Sequence, residues 1–321
     1  MDSGALKQRR EERRRAIRRR RRAALLLLTA AVAVVALVVS VESTGGSSKS
    51  APGATTGPAQ PSAPKTTSTE AGMASSGPTG PPGKAPVPIL MYHVIAAPPA
   101  GAPFPGLYVP PQEFAEQMQA LKEAGWHAVT LDQVQAYWRR GVPLGSGKPI
   151  VLSFDNGYNS QYTQALPVLR RLGWPGVENI QLSGLPPSQG GLGRAQVKGL
   201  IKAGWELDTQ GFSHADLIAL GPEALHYQVA VARTVLQRRY HVPVNWFCYP
   251  SGHYNAAVVA EVRAAGYEGS TTVVPGWARR HDDLYRLHRL RVLGGTTGQQ
   301  LLSLLASVRS DPRAPETYSG G

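Results

Sequence analysis

Residues 151–169 read VLSFDNGYNSQYTQALPVL, and they decide how the rest of the chain is read. Val151, Leu152 and Phe154 belong to a short apolar run with strand composition. Asp155-Asn156-Gly157 is a turn signal, and YTQALPVL then changes to helical spacing. The segment is therefore one strand, one turn and one helix. The same unit recurs on both sides of it. VPILMYHVI, HAVTL, GVENIQL, WELDTQG, NWFCYP, YEGSTTVV and LHRLRVL read as strands. Helical stretches separate them, from PPQEFAEQMQALKEAGW through the long GPEALHYQVAVARTVLQRRYHV to TGQQLLSLLASVR. Asp132 stands at the start of DQVQAYWRRG, in a position to cap that helix. Strands alternating with helices build βα units and a parallel sheet. Seven or eight such units across residues 87–309 predict an α/β fold, a distorted (β/α)7-8 barrel. No Gly-x-Gly-x-x-Gly or phosphate loop interrupts them, which argues against a nucleotide site. No Gly-x-Ser-x-Gly elbow supports a serine hydrolase. Barrel chemistry sits on the loops after the strands, so the segments to examine are MYH (91–93), FDNG (154–157), DTQGFSH (208–214) and YPSGHYN (249–255).

The chain's formal charge of +13 is unevenly spread. Residues 1–22 hold 11 Lys and Arg against 3 Asp and Glu, and so account for most of it. This is a terminal basic block beside a membrane segment rather than a nucleic-acid surface, and no nucleic-acid partner is expected. Residues 23–41, AALLLLTAAVAVVALVVSV, are 19 uncharged residues, close to the roughly 20 needed to span a bilayer as a helix. The preceding arginines place the N-terminus in the cytoplasm and the rest of the chain outside the cell. A cleaved signal peptide is the competing reading, but its apolar region runs only about 7–15 residues, and Val41-Glu42-Ser43 is a poor cleavage site. Residues 42–86 are rich in Ser, Thr, Pro and Gly and nearly devoid of large apolar side chains. They are expected to form a disordered linker. Residues 310–321 read as a polar tail. The single cysteine, Cys248, rules out an internal disulfide and is expected to be a buried core residue.

The four strand-end segments, in this order, resemble the polysaccharide deacetylase family (carbohydrate esterase family 4, the NodB homology domain). SFDNGY followed by ALPVLRRLGWP is similar to the family's TFDDGY and its helix. KAGWELDTQGFSHADL is similar to its second histidine motif, FCYPSGHYN to its F-x-Y-P-x-G-x-Y-N segment, and LHRLRV to its late R-I-x-V strand. The resemblance implies removal of acetyl groups from N-acetylated sugars of a cell-surface or cell-wall polysaccharide, with a divalent metal, zinc or similar, on an aspartate and two histidines. By position, Asp155 is implied as the general base. Asn156, Gln210 and His214 stand at the metal positions, and the backbone N–H of Ser251 faces the oxyanion.

Two of those three ligand positions have become carboxamides. Neutral amide oxygens are weak donors for a borderline-soft ion that prefers carboxylate, imidazole or thiolate. Asp208, two residues before Gln210 on the same strand, shares its face and could supply a replacement carboxylate. His93 and His253 at strand ends, with Tyr249, Tyr254 and Trp277, are the candidates for holding substrate. Two functions remain open at this point: a membrane-anchored extracytoplasmic deacetylase, or a glycan-binding protein that has lost catalysis and uses the old cleft.

Overall fold

A computed structural model describes residues 80–183, 185, 190–308 and 314–320. The basic block, the segment at 23–41 and the linker up to residue 79 lie outside the described residues, so the expected membrane helix is not tested. Among the described residues, no helix is long and apolar enough to cross a membrane.

The chain alternates as expected: β1 (Val87–Tyr92), α1 (Pro111–Glu123), β2 (Trp126–Val129), α2 (Leu131–Arg140), β3 (Lys148–Asn156), α3 (Leu166–Leu172), β4 (Val177–Ile180) and α4 (Arg194–Lys202). It continues through β5 (Glu206–Thr209), α5 (Pro222–His226), α6 (Ala232–Tyr240), β6 (Trp246–Cys248), α7 (Ala256–Ala264), β7 (Gly269–Thr271), β8 (Trp277–Ala278), β9 (Leu290–Arg291) and α8 (Gly298–Ser307). The long helix read from residue 221 onward is α5 and α6 joined by a π turn at Tyr227–Val231. The last expected strand shrinks to two residues, and β8 is a short addition that pairs antiparallel with β1.

The strands run β7-β6-β5-β4-β3-β1, all pairing in parallel, and β9 pairs with β1 from the other side. β3 is long enough to serve β2 over Lys148–Val151 and β4 over Ser153–Asn156, in addition to β1. The sheet thus curls into a distorted barrel whose seam lies between β7 and β9. Among the described residues, no ladder spans that seam. A single bridge, Thr271 with Leu287, and the bond from Arg289 N–H to the Val274 carbonyl cross it.

Side-chain alternation along β3 sorts the layers. Leu152 and Phe154 pack outward under the helices with Phe114, Leu166, Leu169 and Trp205. Phe154 stacks on Trp205 at 4.8 Å and Tyr92 at 5.6 Å, contacts worth about 0.5–1.5 kcal/mol each beyond burial. Val151, on the other face, joins Val87, Ile89, Val177 and Trp246 in the barrel floor. Ser153 and Asp155 follow on that inner face. Helix α2 starts differently from the expectation. Thr130, not Asp132, is the N-cap and forms a capping box with Gln133, while Asp132 accepts from Asn245 and from the Trp246 indole. The tail also differs. Tyr318 pairs with Tyr254 through both backbone bonds, and the Tyr254 hydroxyl donates to the Pro315 carbonyl, so residues 314–320 dock on the domain.

Candidate active site

Three strands, β3, β5 and β6, are followed by turns with left-handed backbone at the mouth of the barrel. After β3, Asn156 (φ 80°) and Gly157 (φ 89°) both adopt left-handed backbone. A Cβ on Gly157 would come within 2.8 Å of Ile180, so glycine is required by space as well as by φ. After β5 comes Gln210, then His214 at φ 52°; after β6 comes Ser251 at φ 55°. Among the described residues, the other non-glycine residue with left-handed backbone is His241, which simply ends α6. The remaining three, Asn156, His214 and Ser251, line one cleft of about 580 Å³ together with His93, Asp155 and Gln210. Such conformations cost on the order of 1–3 kcal/mol each and persist where surrounding structure enforces them. Two glutamines do that enforcing. Gln161 donates to the carbonyls of His93 and Asp155, tying the ends of β1 and β3 together. Gln228 accepts from Phe212 and Ser213 N–H and donates to the Ser213 hydroxyl, fixing the loop that carries His214.

Asp155 is buried and fully engaged. Arg289 grips it with two parallel bonds, Nη1 to Oδ1 at 2.7 Å and Nη2 to Oδ2 at 2.9 Å. Asn179 donates to Oδ1 at 2.9 Å, and the Cys248 thiol lies 3.5 Å from Oδ2. Burial alone pushes the Asp155 carboxyl up, but the Arg289 charge and hydrogen bonds, with His93 and Asn179 adding to them, bring it down to about 2. Arg289 starts from the seam, where its Nε donates to the Thr272 carbonyl, and also reaches the Ser153 hydroxyl. It therefore staples the open side of the barrel to β3. Burial lowers His93 to about 4 and also lowers His214, so both imidazoles are neutral at neutral pH. Burial pushes the Cys248 thiol up to about 12, which removes it as a nucleophile. Cys248 is buried as expected, but in a polar network rather than an apolar core.

The remaining expected site residues divide. Tyr249 lines the cleft, but its ring is buried and its hydroxyl donates to the Tyr285 carbonyl. Tyr254 does not line the cleft: it is buried beneath the docked tail, stacked on Tyr318. His253 is also outside the cleft and bonds Asp216 at 3.0 Å. Trp277 is buried against α8, donating to the Leu305 carbonyl. Asp208 does not join Gln210 in the cleft. Two residues earlier on the strand, it sits about 6–7 Å deeper. Its Oδ1 accepts from Asn245 and Trp246 N–H.

The donor set does not fit a tightly held zinc ion. Asn156 spends its amide N–H on Gln181 at 2.9 Å, Gln210 offers a buried amide oxygen without a partner, and the imidazoles in the cleft are those of His214 and His93. Both Asp155 oxygens already face Arg289. Among the described residues, no group of three His, Cys, Asp or Glu is placed to hold a metal ion. That leaves at most two imidazoles as strong donors where zinc sites require three or four ligands.

Three residues of consequence carried no role in the sequence reading. Arg289 sits in LHRLRVL, and a basic residue inside an otherwise apolar strand is itself a signal, because a buried arginine must find an acid. Arg291, two residues on, lines the cleft. Phe104, at the cleft mouth, is 68% exposed, the largest exposure among the large hydrophobic side chains described. It stands on a turn clamped by the Leu107 N–H bond to its carbonyl and by the pairing of Val94 with residues 107 and 109.

Comparison with known proteins agrees with this layout. The family described as polysaccharide deacetylase matches residues 145–270. A putative polysaccharide deacetylase, YxkH of Bacillus subtilis (strain 168), is 27% identical over 225 residues, covering 70% of this chain and 78% of that protein. The poly-beta-1,6-N-acetyl-D-glucosamine N-deacetylase of Escherichia coli (strain K12) is 42% identical over 62 residues, which is 19% of this chain and 9% of that protein. Among solved structures, the Streptococcus pyogenes deacetylase PplD in complex with acetate superposes with a TM-score of 0.63 at 25% identity, covering 69% of this chain and 98% of that one.

Proposed function

The chain belongs to the polysaccharide deacetylase family, hydrolases of N-acetyl amide bonds, and from that premise we propose that it works outside the cytoplasm on acetamido sugars of a surface polysaccharide. The apolar segment at 23–41, with arginines before it and a Ser-, Thr-, Pro- and Gly-rich stretch after it, is read as the anchor. The observation that carries the catalytic reading is the convergence of Asp155, His214 and Ser251 on one cleft, the latter two in left-handed backbone.

In this reading, the oxygen of a water molecule attacks the acetamide carbonyl carbon. Asp155, anionic at every physiological pH, accepts the water's proton. The Ser251 N–H faces the oxygen on which negative charge develops. As the C–N bond breaks, that proton passes to the leaving nitrogen, and the products are acetate and a free amine. A carboxylate near pH 2 in strength is a weak base, so turnover is slow, and Asp155 gives the rate no acidic limb above about pH 4. Phe104 offers the apolar face on which a pyranose ring stacks at the mouth.

A second reading, glycan binding without hydrolysis, is favoured by the two carboxamides and by Arg289 occupying both oxygens of Asp155. The two separate on acetate release from N-acetylated glucosamine oligomers by the full chain in detergent. Hydrolysis predicts acetate in wild type and at least a hundredfold less in Asp155→Asn at equal oligomer binding. Binding with no acetate from wild type supports the second reading.

A further inference from the structure

We propose that the cleft selects glycans carrying negative charge, as carboxylate or phosphate, beside the N-acetylated sugar, and that Arg291, Arg239 and Arg194 make that selection. This rests on the reading of the cleft as a polysaccharide site. Asp155 is the one carboxylate among the described residues lining the cleft, and Arg289 cancels its charge. Arg291 then stands as an uncompensated cation on the cleft wall. Gln181 and Leu185 of the cleft also line a second pocket of about 250 Å³. That pocket holds Arg194, Arg239 and Tyr240 and no carboxylate among its described residues.

The one-signed lining is local. A depression elsewhere on the domain mixes Arg139 and Arg263 with Glu268, Asp282 and Asp283, and both arginines are ion-paired there. Ion pairs to acids engage Arg139, Arg263, Arg286 and Arg289. Among the described residues, Arg194, Arg239 and Arg291 have none. Three guanidinium groups thus line two pockets that share Gln181 and Leu185, with Asp155 the one carboxylate among the described lining residues, which is the lining an acidic polymer requires. The guanidinium fork suits carboxylate and phosphate alike, as two parallel hydrogen bonds.

The test measures equilibrium binding to the full-length protein in detergent, using three labelled N-acetylated oligosaccharides of equal length: neutral, carboxylate-bearing and phosphate-bearing. At low salt the charged oligosaccharides are expected to bind about tenfold or more tightly than the neutral one. The advantage fades as salt rises, because the Debye length shrinks to about 3 Å near 1 M. Whichever charged arm binds better identifies the anion. In Arg194→Gln/Arg239→Gln/Arg291→Gln the advantage falls at least tenfold, whereas Arg291→Lys alone keeps most of it. Equal affinity for all three oligosaccharides overturns the proposal. So does an advantage that survives in the triple variant, since the basic block at residues 1–22 then explains it. Acetate release is scored separately on the same samples. Charge preference without acetate removes the hydrolase reading and leaves this one, and acetate without charge preference does the reverse.

Discussion

Asp155 and Asp208 point into the same barrel from strands that both flank β4, and both pair with Asn179 in the strand register. Both are buried, yet they carry opposite charge states. Asp155 meets Arg289 and stays ionised. Asp208 meets no cation. Burial first, and then the neighbouring Glu206 carboxylate, push it well above the usual carboxylate range. Burial and the nearby Asp132 likewise push Glu206 up to about 7. The Asp208–Glu206 pair therefore keeps a proton and works as a brace. Glu206 accepts from Leu131 and Asp132 N–H at the start of α2, while Asp208 accepts from the start of β6. Burial is common to both sites and opposes charge in both. The partner decides which acid is an anion available for chemistry and which is a structural hydrogen-bonding group.

The contrast breaks most forcefully at Arg289. Arg289→Ala leaves a buried carboxylate with no counter-ion, and chemical denaturation should register a loss of about 3–5 kcal/mol. A loss below about 1 kcal/mol means that Asp155 does not depend on that guanidinium. By the same reasoning Asp155→Asn leaves a buried cation unpaired and is destabilising too. Its activity must be read on samples shown to be folded.

The next effect sharpens the chemistry at the mouth. Asn156→Asp with Gln210→His places a carboxylate and an imidazole beside His214. Thermal melts of that double variant should show zinc-dependent stabilisation, about 2.7 kcal/mol at a hundred times the dissociation constant, and wild type should show none. Wild type gaining as much would mean that the two carboxamides are adequate ligands.

The smallest effect lies at the inner pair. A carboxyl whose folded pKa lies above its unfolded value binds its proton more tightly in the folded state. Its contribution is fully present below the unfolded pKa and is lost as pH rises through the folded value. Stability should therefore fall as pH rises from about 4.5 through about 7 on account of Glu206. Asp208→Asn removes the acid neighbour and should flatten that fall, gaining roughly 1 kcal/mol at pH 8 and little at pH 4, with acetate release unchanged. Asp155 has the opposite sign: its contribution is present above about pH 4 and is lost as pH falls towards 2.

Much of this was legible in the chain. Alternating apolar strands and amphipathic helices announce the βα units, and the Gly157 and Ser251 segments mark strand-end turns by composition alone. What sequence could not supply is anything set by the curl of the barrel. Asp208 reads as a neighbour of Gln210 because they share a face, but strand stagger puts it a layer deeper, against α2 and β6. The partnership of Asp155 with Arg289 spans 134 residues and the seam. Tyr254 and His253 look available in YPSGHYN only because nothing local reveals that Tyr318 returns to pair with Tyr254. Thr130 wins the cap from Asp132 because the Asp132 carboxylate is occupied by Asn245 and Trp246, again a contact across more than a hundred residues.

The charge state of Asp155 underlies the whole account, and a carboxyl-carbon NMR titration of the full chain labelled at aspartate reads it directly, with Asp155→Asn and Asp208→Asn giving the assignments. The account predicts an Asp155 resonance in its ionised position from pH 8 down to pH 4, beside an Asp208 resonance that takes up its proton at a distinctly higher pH than Asp155. An Asp155 carboxyl that takes up its proton above pH 5 would contradict it.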